Sequence, residues 1–342
     1  MAAVTTRPAG QSWRLLAIAL AAFVLLPLWP SQIQLVVPVV ETSLLLAPIV
    51  AVCAVVGWLA GGKPYLAIVW VALAAWLLLV PMGQPGSPYP GMARGWALVL
   101  AGSFGLISLW SSTTPFIVRA LGAIGLAMAT AFAAAISSPG GVDRYVKVST
   151  SEFSARGAAF VALLEAERQT PAFRGYASRV PEMNTVFDDW ETEARTLPAR
   201  SAVIVPALLA LQSLAALALG WAIYTRLDPG NIGPALSPLK DFRFSDQLVW
   251  GVAVGGTLLL LPPFEEGRNA GLNLLVFFGG LYLIRGMGVV AWMAHRRRRA
   301  LLIAAVILFV FVPPVVTLIG AALTGIGLGD TWLDWRNRAK PA

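Results

Sequence analysis

Arg285 is the residue whose type and position could do chemistry and whose presence costs most. It lies in the run Gly271 to Arg299, GLNLLVFFGGLYLIRGMGVVAWMAHRRRR, which holds about 24 mostly apolar residues, enough for one helix to cross a bilayer. At ~1.5 Å rise per residue the guanidinium lies about 15 Å from His295, near the bilayer midplane and too deep to snorkel. An arginine at a helix centre costs roughly 2.5 to 3.5 kcal/mol on insertion, which a partner, a wet cavity or a ligand must offset. Two readings follow. The side chain is bonded within the helix bundle, or its planar fork receives the carboxylate or phosphate of a solute.

Three further polar groups fall in or near apolar runs. Arg119 is only about four residues, ~6 Å, from Pro115, a distance that suits snorkelling to the cytoplasmic interface. Glu41 is about 20 residues, ~30 Å, from Gly61, near the outer boundary, so an ion pair with Arg285 requires a tilt or break around Pro38. Asn273 is about three turns from Arg285 and reads as a helix-bonding amide near the outer end. Arg285, Asn273, Arg119 and Glu41 are thus the candidate solute-binding or intramembrane polar residues. His295 reads as a solvated loop residue, and Arg296, Arg297, Arg298 and Arg299 set orientation and attract anionic headgroups, at about 1 kcal/mol per charge.

The usual catalytic signatures are missing. There is no glycine-rich phosphate loop, HExxH or GxSxG, and the chain has one cysteine, Cys53, and one histidine. Glu265-Glu266 follows Pro262-Pro263, where adjacent acids are ordinarily solvated. No catalytic residue, cofactor or metal site is expected, and the protein reads as a non-enzyme.

The elements that must carry these residues are membrane helices. Hydrophobic residues make up 58% of the 342 positions and charged ones 12%, with a mean hydropathy of +0.74; soluble domains carry roughly a quarter charged residues. The net charge of +8 does not call for nucleic acid, because the arginines sit mostly at the ends of apolar runs. Nine runs qualify as spans: Trp13–Pro30, Leu35–Gly61, Tyr65–Met82, Met92–Trp110, Pro115–Ile136, Ala202–Tyr224, Gln247–Leu261, Gly271–Ala294 and Leu301–Leu323. The first has a signal-like start, but Leu26-Pro27-Leu28-Trp29-Pro30 is a poor cleavage site, so it reads as uncleaved.

A cytoplasmic N-terminus places Arg7, Arg14, Lys63, Arg226, Lys240, Arg243 and Arg296–Arg299 inside, leaving Arg94 and Arg268 in short outer loops. The basic tail, Arg336, Arg338 and Lys340, then falls outside, unless one weak run is not a span or Pro313-Pro314 turns the last one back. The expected location is the bacterial inner membrane.

Ser137 to Ala199 stands apart, with 16 of the chain's 42 acidic and basic residues. It reads as an extracytoplasmic insert of two short amphipathic helices. The first is capped at Thr150 or Ser151 and carries Phe153, Phe160, Val161 and Leu164 on one stripe; the second runs from Pro181 through Trp190 to Thr196. The domain division expected is 1–136 amino-terminal spans, 137–199 insert, 200–323 carboxy-terminal spans and 324–342 interfacial tail. Gly102, Gly105, Gly122 and Gly125 point to close packing of the fourth and fifth spans. The connection Asp228 to Ser245, rich in Pro and Gly, suits an interfacial anchor. In the tail, Asp330 or Thr331 could start a short helix with Trp332 and Trp335 on one side.

Two stretches, AGLNLLVFFGGLYLIRGMGVVAWM and the tail GLGDTWLDWRNR, resemble the YybS-like family of bacterial multi-pass membrane proteins, which has no established activity. That family looks distantly similar to the substrate-binding membrane subunits of energy-coupling-factor vitamin importers. The resemblance implies a bundle able to enclose a small solute, but supplies no agreed binding residues. The insert is longer than a six-helix solute-binding subunit needs.

The expectation is therefore an all-α polytopic bundle of eight or nine spans with a small two-helix insert. Two functions are open. One is a solute-binding or transport component that recognises an anionic group at Arg285; the other is a membrane scaffold or assembly factor in which Arg285 is a structural bond. Expected partners are the lipid bilayer and another membrane protein or an energy-coupling subunit, with any ATP-driven step on another chain and no nucleic acid.

Overall fold

The computed structural model describes residues 13–29, 32–81, 86–110, 113–261, 267–293 and 313–338. Every regular element among them is helical, and they divide into two compact units, 1–236 and 237–342. His295, Arg296 to Arg299 and the Glu265-Glu266 pair lie outside the described residues.

The first unit is built on α2 (Ser43–Leu59), which packs against α3 (Pro64–Leu79), α4 (Tyr89–Trp110) and α8 (Glu182–Leu227). Leu44, Leu45, Ile49, Val50, Cys53 and Ala54 of α2 are buried, whereas Ile68, Val69, Trp76 and Leu79 of α3 are exposed. A helix that keeps so much apolar surface outside a packed centre faces lipid. α2 ends in a Schellman turn: Gly62 N–H bonds Gly57 O at 2.8 Å, Gly61 N–H bonds Trp58 O at 3.0 Å, and Gly61 has φ +92°. α1 (Trp13–Leu25) sends Leu16 into the α2–α8 contact, beside Val50, Ala222 and Ile223.

The second expected span begins later than its apolar run. Residues 36–42 are not helical, and a single 3-10 turn occupies Gln32–Leu35. Pro38 removes one donor, the N–H groups of Val36 and Val37 bond Ile33 O, and side chains meet several of the other polar groups. Gln212 of α8 both donates to Val39 O (2.6 Å) and accepts from Val39 N (3.0 Å), Tyr89 Oη donates to Pro38 O (2.6 Å), and Arg156 donates to Val37 O (2.8 Å). Irregular backbone survives at such depth only when its polar groups are met in this way.

α5 (Phe116–Ser137) packs on α4 as the glycine pattern predicts, though not through all four glycines. Gly122 approaches Ile107 of α4, Gly105 approaches Val52 of α2, and nothing lies within 4 Å of a Cβ placed on Gly102 or Gly125. The polar stretch that follows differs from two short helices. It forms α6 (Gly141–Arg168), a short α7 of about two turns (Pro171–Ala177) and the start of α8. Its second helix does not stop at Thr196 but continues to Leu227, 46 residues in all, or ~69 Å. That is twice the ~30 Å of a hydrocarbon core, so much of α8 lies beyond it. The expected stripe of α6 is the buried one: Phe153, Val161 and Leu164 are covered, and Gly157 lets the backbone come within van der Waals contact of Ala194 and Pro198 on α8.

The second unit begins with 3-10 turns at Leu239–Asp241 and Asp246–Leu248, then α9 (Val249–Leu260), α10 (Arg268–Met293), α11 (Pro313–Leu333) and a last turn, α12 (Trp335–Arg338). α10 packs against both α9 and α11. Glycine makes both contacts possible: a Cβ on Gly271 would lie 2.8 Å from Gly255 O, while a Cβ on Gly286 or Gly327 would collide with the carbonyl of Leu323 or Tyr282. The last apolar helix thus runs past Leu323 to Leu333, and Asp330 belongs to its final turns rather than starting a new helix. Asp334, at φ +41°, ends it.

Four helices, α4, α5, α8 and α10, are long and apolar enough to cross a membrane, with shorter apolar helices beside them. α9, at 12 residues or ~18 Å, is too short to span alone.

Candidate functional site

The cost of burying Arg285 is met inside the second unit. Its Nε donates to Asp330 Oδ2 at 3.0 Å, its Nη2 to the Asp330 carbonyl at 3.2 Å, and its Nη1 to Asp246 Oδ1 at 2.8 Å. Asp330 also receives Arg336 Nη2 at 2.6 Å. The remaining reach of Arg336 goes through Nη1 to the carbonyls of Lys240 and Phe242, both at 3.0 Å. Two guanidinium groups and two carboxylates therefore join α10, the end of α11, α12 and the stretch 240–246.

Burial within this cluster is uneven. The side chains of Arg285 and Arg336 are 4% exposed and that of Asp330 is 0%, but Asp246 is 62% exposed. Phe244 covers the guanidinium of Arg285, its ring centroid 5.3 Å from Cζ, and meets Tyr282 edge-on at 5.1 Å. Among the described residues, two buried polar atoms here, Asp330 Oδ1 and Arg336 Nε, meet no hydrogen-bond partner. Nearby, Arg243 pairs with Asp334 at 3.2 Å.

Arg119 is treated differently by the first unit. It does not snorkel: it is buried, because Trp221 and the loop after α8 cover it. Its Nε donates to Thr114 O at 2.9 Å and its Nη1 to Ile232 O at 2.8 Å, with the Trp221 ring centroid 5.0 Å from Cζ. Gly233, at φ +133°, passes so close that a Cβ would lie 2.9 Å from Arg119 Nη2. The same loop is tied down at Asp228, which accepts from Lys63 N–H and Tyr224 Oη, both at 3.1 Å. Burial raises the Asp228 carboxyl, but these donors and Asn231 outweigh it and hold the group below the usual carboxylate range.

The four candidate residues fall in different units. Arg285 and Asn273 share α10, where Asn273 Nδ2 bonds the Asn269 carbonyl at 2.8 Å, whereas Arg119 and Glu41 belong to the first unit. Glu41 stands before α2, its carbonyl accepting from Leu44 N–H. The carboxylates that meet Arg285 are Asp330 and Asp246, not Glu41. Sequence reading missed Asp330, Arg336 and Asp246 as partners, and one signal for the first two was present. The two stretches that carry the family resemblance hold a cation and its counter-charge, Arg285 in one and Asp330, with Arg336 six residues on, in the other.

Residues 191–330 match a family described as predicted membrane protein (DUF2232). The match runs from within α8 to Asp330, so it includes Arg285, Asp246 and Asp330 and stops short of Arg336. Neither a curated protein nor a solved structure matches the chain. With the apolar helices, the family match makes this a helical membrane protein.

Proposed function

We propose that the protein is a scaffold or assembly component of the bacterial inner membrane, with a cytoplasmic N-terminus and the α6–α7–α8 insert offered to another membrane protein outside. The observation that carries this reading is the internal closure of Arg285. The inner edge of its guanidinium is committed to Asp330, which is itself wholly buried and shared with Arg336. A carrier's central cation needs room to receive and release a solute; here the glycine contact of α10 with α11, at Gly286 and Gly327, brings the two backbones together beside it. On the insert, Val186 and Trp190 lie one turn apart on α8, and each keeps 37% of its surface exposed. Such a pair is a fit anchor for a protein partner.

Native mass spectrometry of the full-length protein tests this against the solute-binding reading. A scaffold retains a protein partner or a second copy, and loses it in Trp190→Asp. A non-lipid solute held tightly by the parent and lost in Arg285→Ala contradicts it.

A further inference from the structure

We propose that the outer edge of Arg285 is an exchangeable oxyanion site, with the Asp246 carboxylate as its resident occupant and a phosphate- or carboxylate-bearing ligand as its alternative. The inference concerns only the Asp246 side of Arg285; the bonds of Nε and Nη2 to Asp330, on which the scaffold reading rests, stay in place.

Arg285 and Arg336 bring two positive charges into a cluster whose one fully buried carboxylate, among the described residues, is Asp330. Without a second anion the cluster carries an uncompensated charge in surroundings of low dielectric, which is strongly unfavourable. Asp246 supplies that anion, but from outside: its side chain is 62% exposed against 0% for Asp330, and it reaches Nη1 through Oδ1 at 2.8 Å. The two carboxylates therefore do different work. Asp330 is locked by two guanidinium groups, whereas Asp246 is a tethered group at an exposed edge.

The surroundings can keep their shape when Asp246 moves. The preceding stretch is fixed independently, by Arg336 Nη1 on the carbonyls of Lys240 and Phe242, and Phe244 covers Arg285 by ring contact. Asp246 itself opens a three-residue 3-10 turn. Rotation of its side chain frees Nη1 while Nε and Nη2 stay on Asp330. The freed donor presents what a phosphate or carboxylate oxygen requires, a fixed guanidinium N–H beside a covering ring.

A tethered competitor acts at high effective concentration, so the parent binds an external oxyanion weakly and the site opens when the tether is neutralised. The test uses full-length protein in maltoside micelles, which contribute no phosphate. Parent, Asp246→Asn and, as a control, Asp188→Asn are titrated with inorganic phosphate or with phosphatidylglycerol, and thermal melting is followed. Asp188 is an acid of the first unit of similar exposure, 66%. The site requires Asp246→Asn to be stabilised saturably, with half-saturation at least tenfold lower than in the parent or the control. An effect of phosphate alone identifies a free oxyanion, and an effect confined to phosphatidylglycerol identifies a lipid headgroup. Equal half-saturation in all three proteins overturns the proposal. If Asp246→Asn does not survive purification, Asp246→Glu is compared instead, its longer arm disturbing the internal closure. There too an unchanged half-saturation counts against the site.

Discussion

The two units differ in the partner that dominates around a covered arginine. In the first, buried Arg119 donates to the carbonyls of Thr114 and Ile232, and half-buried Arg156 donates to those of Val37, Gln34 and Pro38 while pairing with Glu152 at 3.1 Å, each beside an aromatic ring. In the second, Arg285 and Arg336 converge on a buried carboxylate. The difference follows from what each must hold. A cation on carbonyls satisfies irregular backbone, so Arg156 and Arg119 fasten the segment before α2 and the loop after α8. A cation on a carboxylate fastens helices, and Arg285 joins α10 to α11. Loss of the first kind should loosen a loop; loss of the second should open a unit.

The sharpest break is Asp330→Ala, which leaves two buried guanidinium groups facing each other. A loss of about 3 to 5 kcal/mol is expected, seen as collapse of the melting transition and rapid proteolysis after residue 237. Next comes Gly327→Val, whose side chain must enter the Tyr282 carbonyl; overpacking costs about 1 to 3 kcal/mol or more. Its foil is Gly125→Ala in the first unit, where a Cβ meets open space. There the melting point should hold or rise, since Ala gains up to about 1 kcal/mol over Gly in a helix.

Arg119→Lys keeps the charge but loses the fork that reaches Thr114 and Ile232 together. A cost of about 1 to 3 kcal/mol is expected from the carbonyl left bare, with new cleavage in 228–236 and the second unit unaffected. The smallest effect concerns pH. Asp228 sits below the usual carboxylate range, and an unfolded aspartate titrates near ~3.9. Its contribution is therefore complete above about pH 5 and fades as pH falls through the depressed folded value. Asp228→Asn should melt a few degrees below the parent at neutral pH, and the gap should narrow on acidification below about pH 4.

The membrane class, most helices and the cost of Arg285 were legible because each rests on local composition and length. The buried stripe of α6 was legible for the same reason, its Phe153, Val161 and Leu164 recurring at helical spacing. What was not legible depends on distant partners. The break before α2 needs Gln212, Tyr89 and Arg156, donors far along the chain from the carbonyls they meet. The fusion of the insert with the sixth span hides in prolines: Pro198 and Pro206 suggest a stop, yet α8 carries both inside it. Asp330 reads locally as a helix start and is instead the counter-charge of a residue 45 positions away.

The claim that Arg285 locks α10 to α11 through Asp330 is tested most directly by a double-mutant cycle, with melting measured for the parent, Arg285→Met, Asp330→Ala and the double variant. If the two groups answer each other, Asp330→Ala is the least stable of the four. Adding Arg285→Met then restores part of the loss, because one uncompensated charge is removed with its partner, giving a coupling of about 1 kcal/mol or more. Additive losses, or an Arg285→Met protein that melts like the parent, would contradict the account.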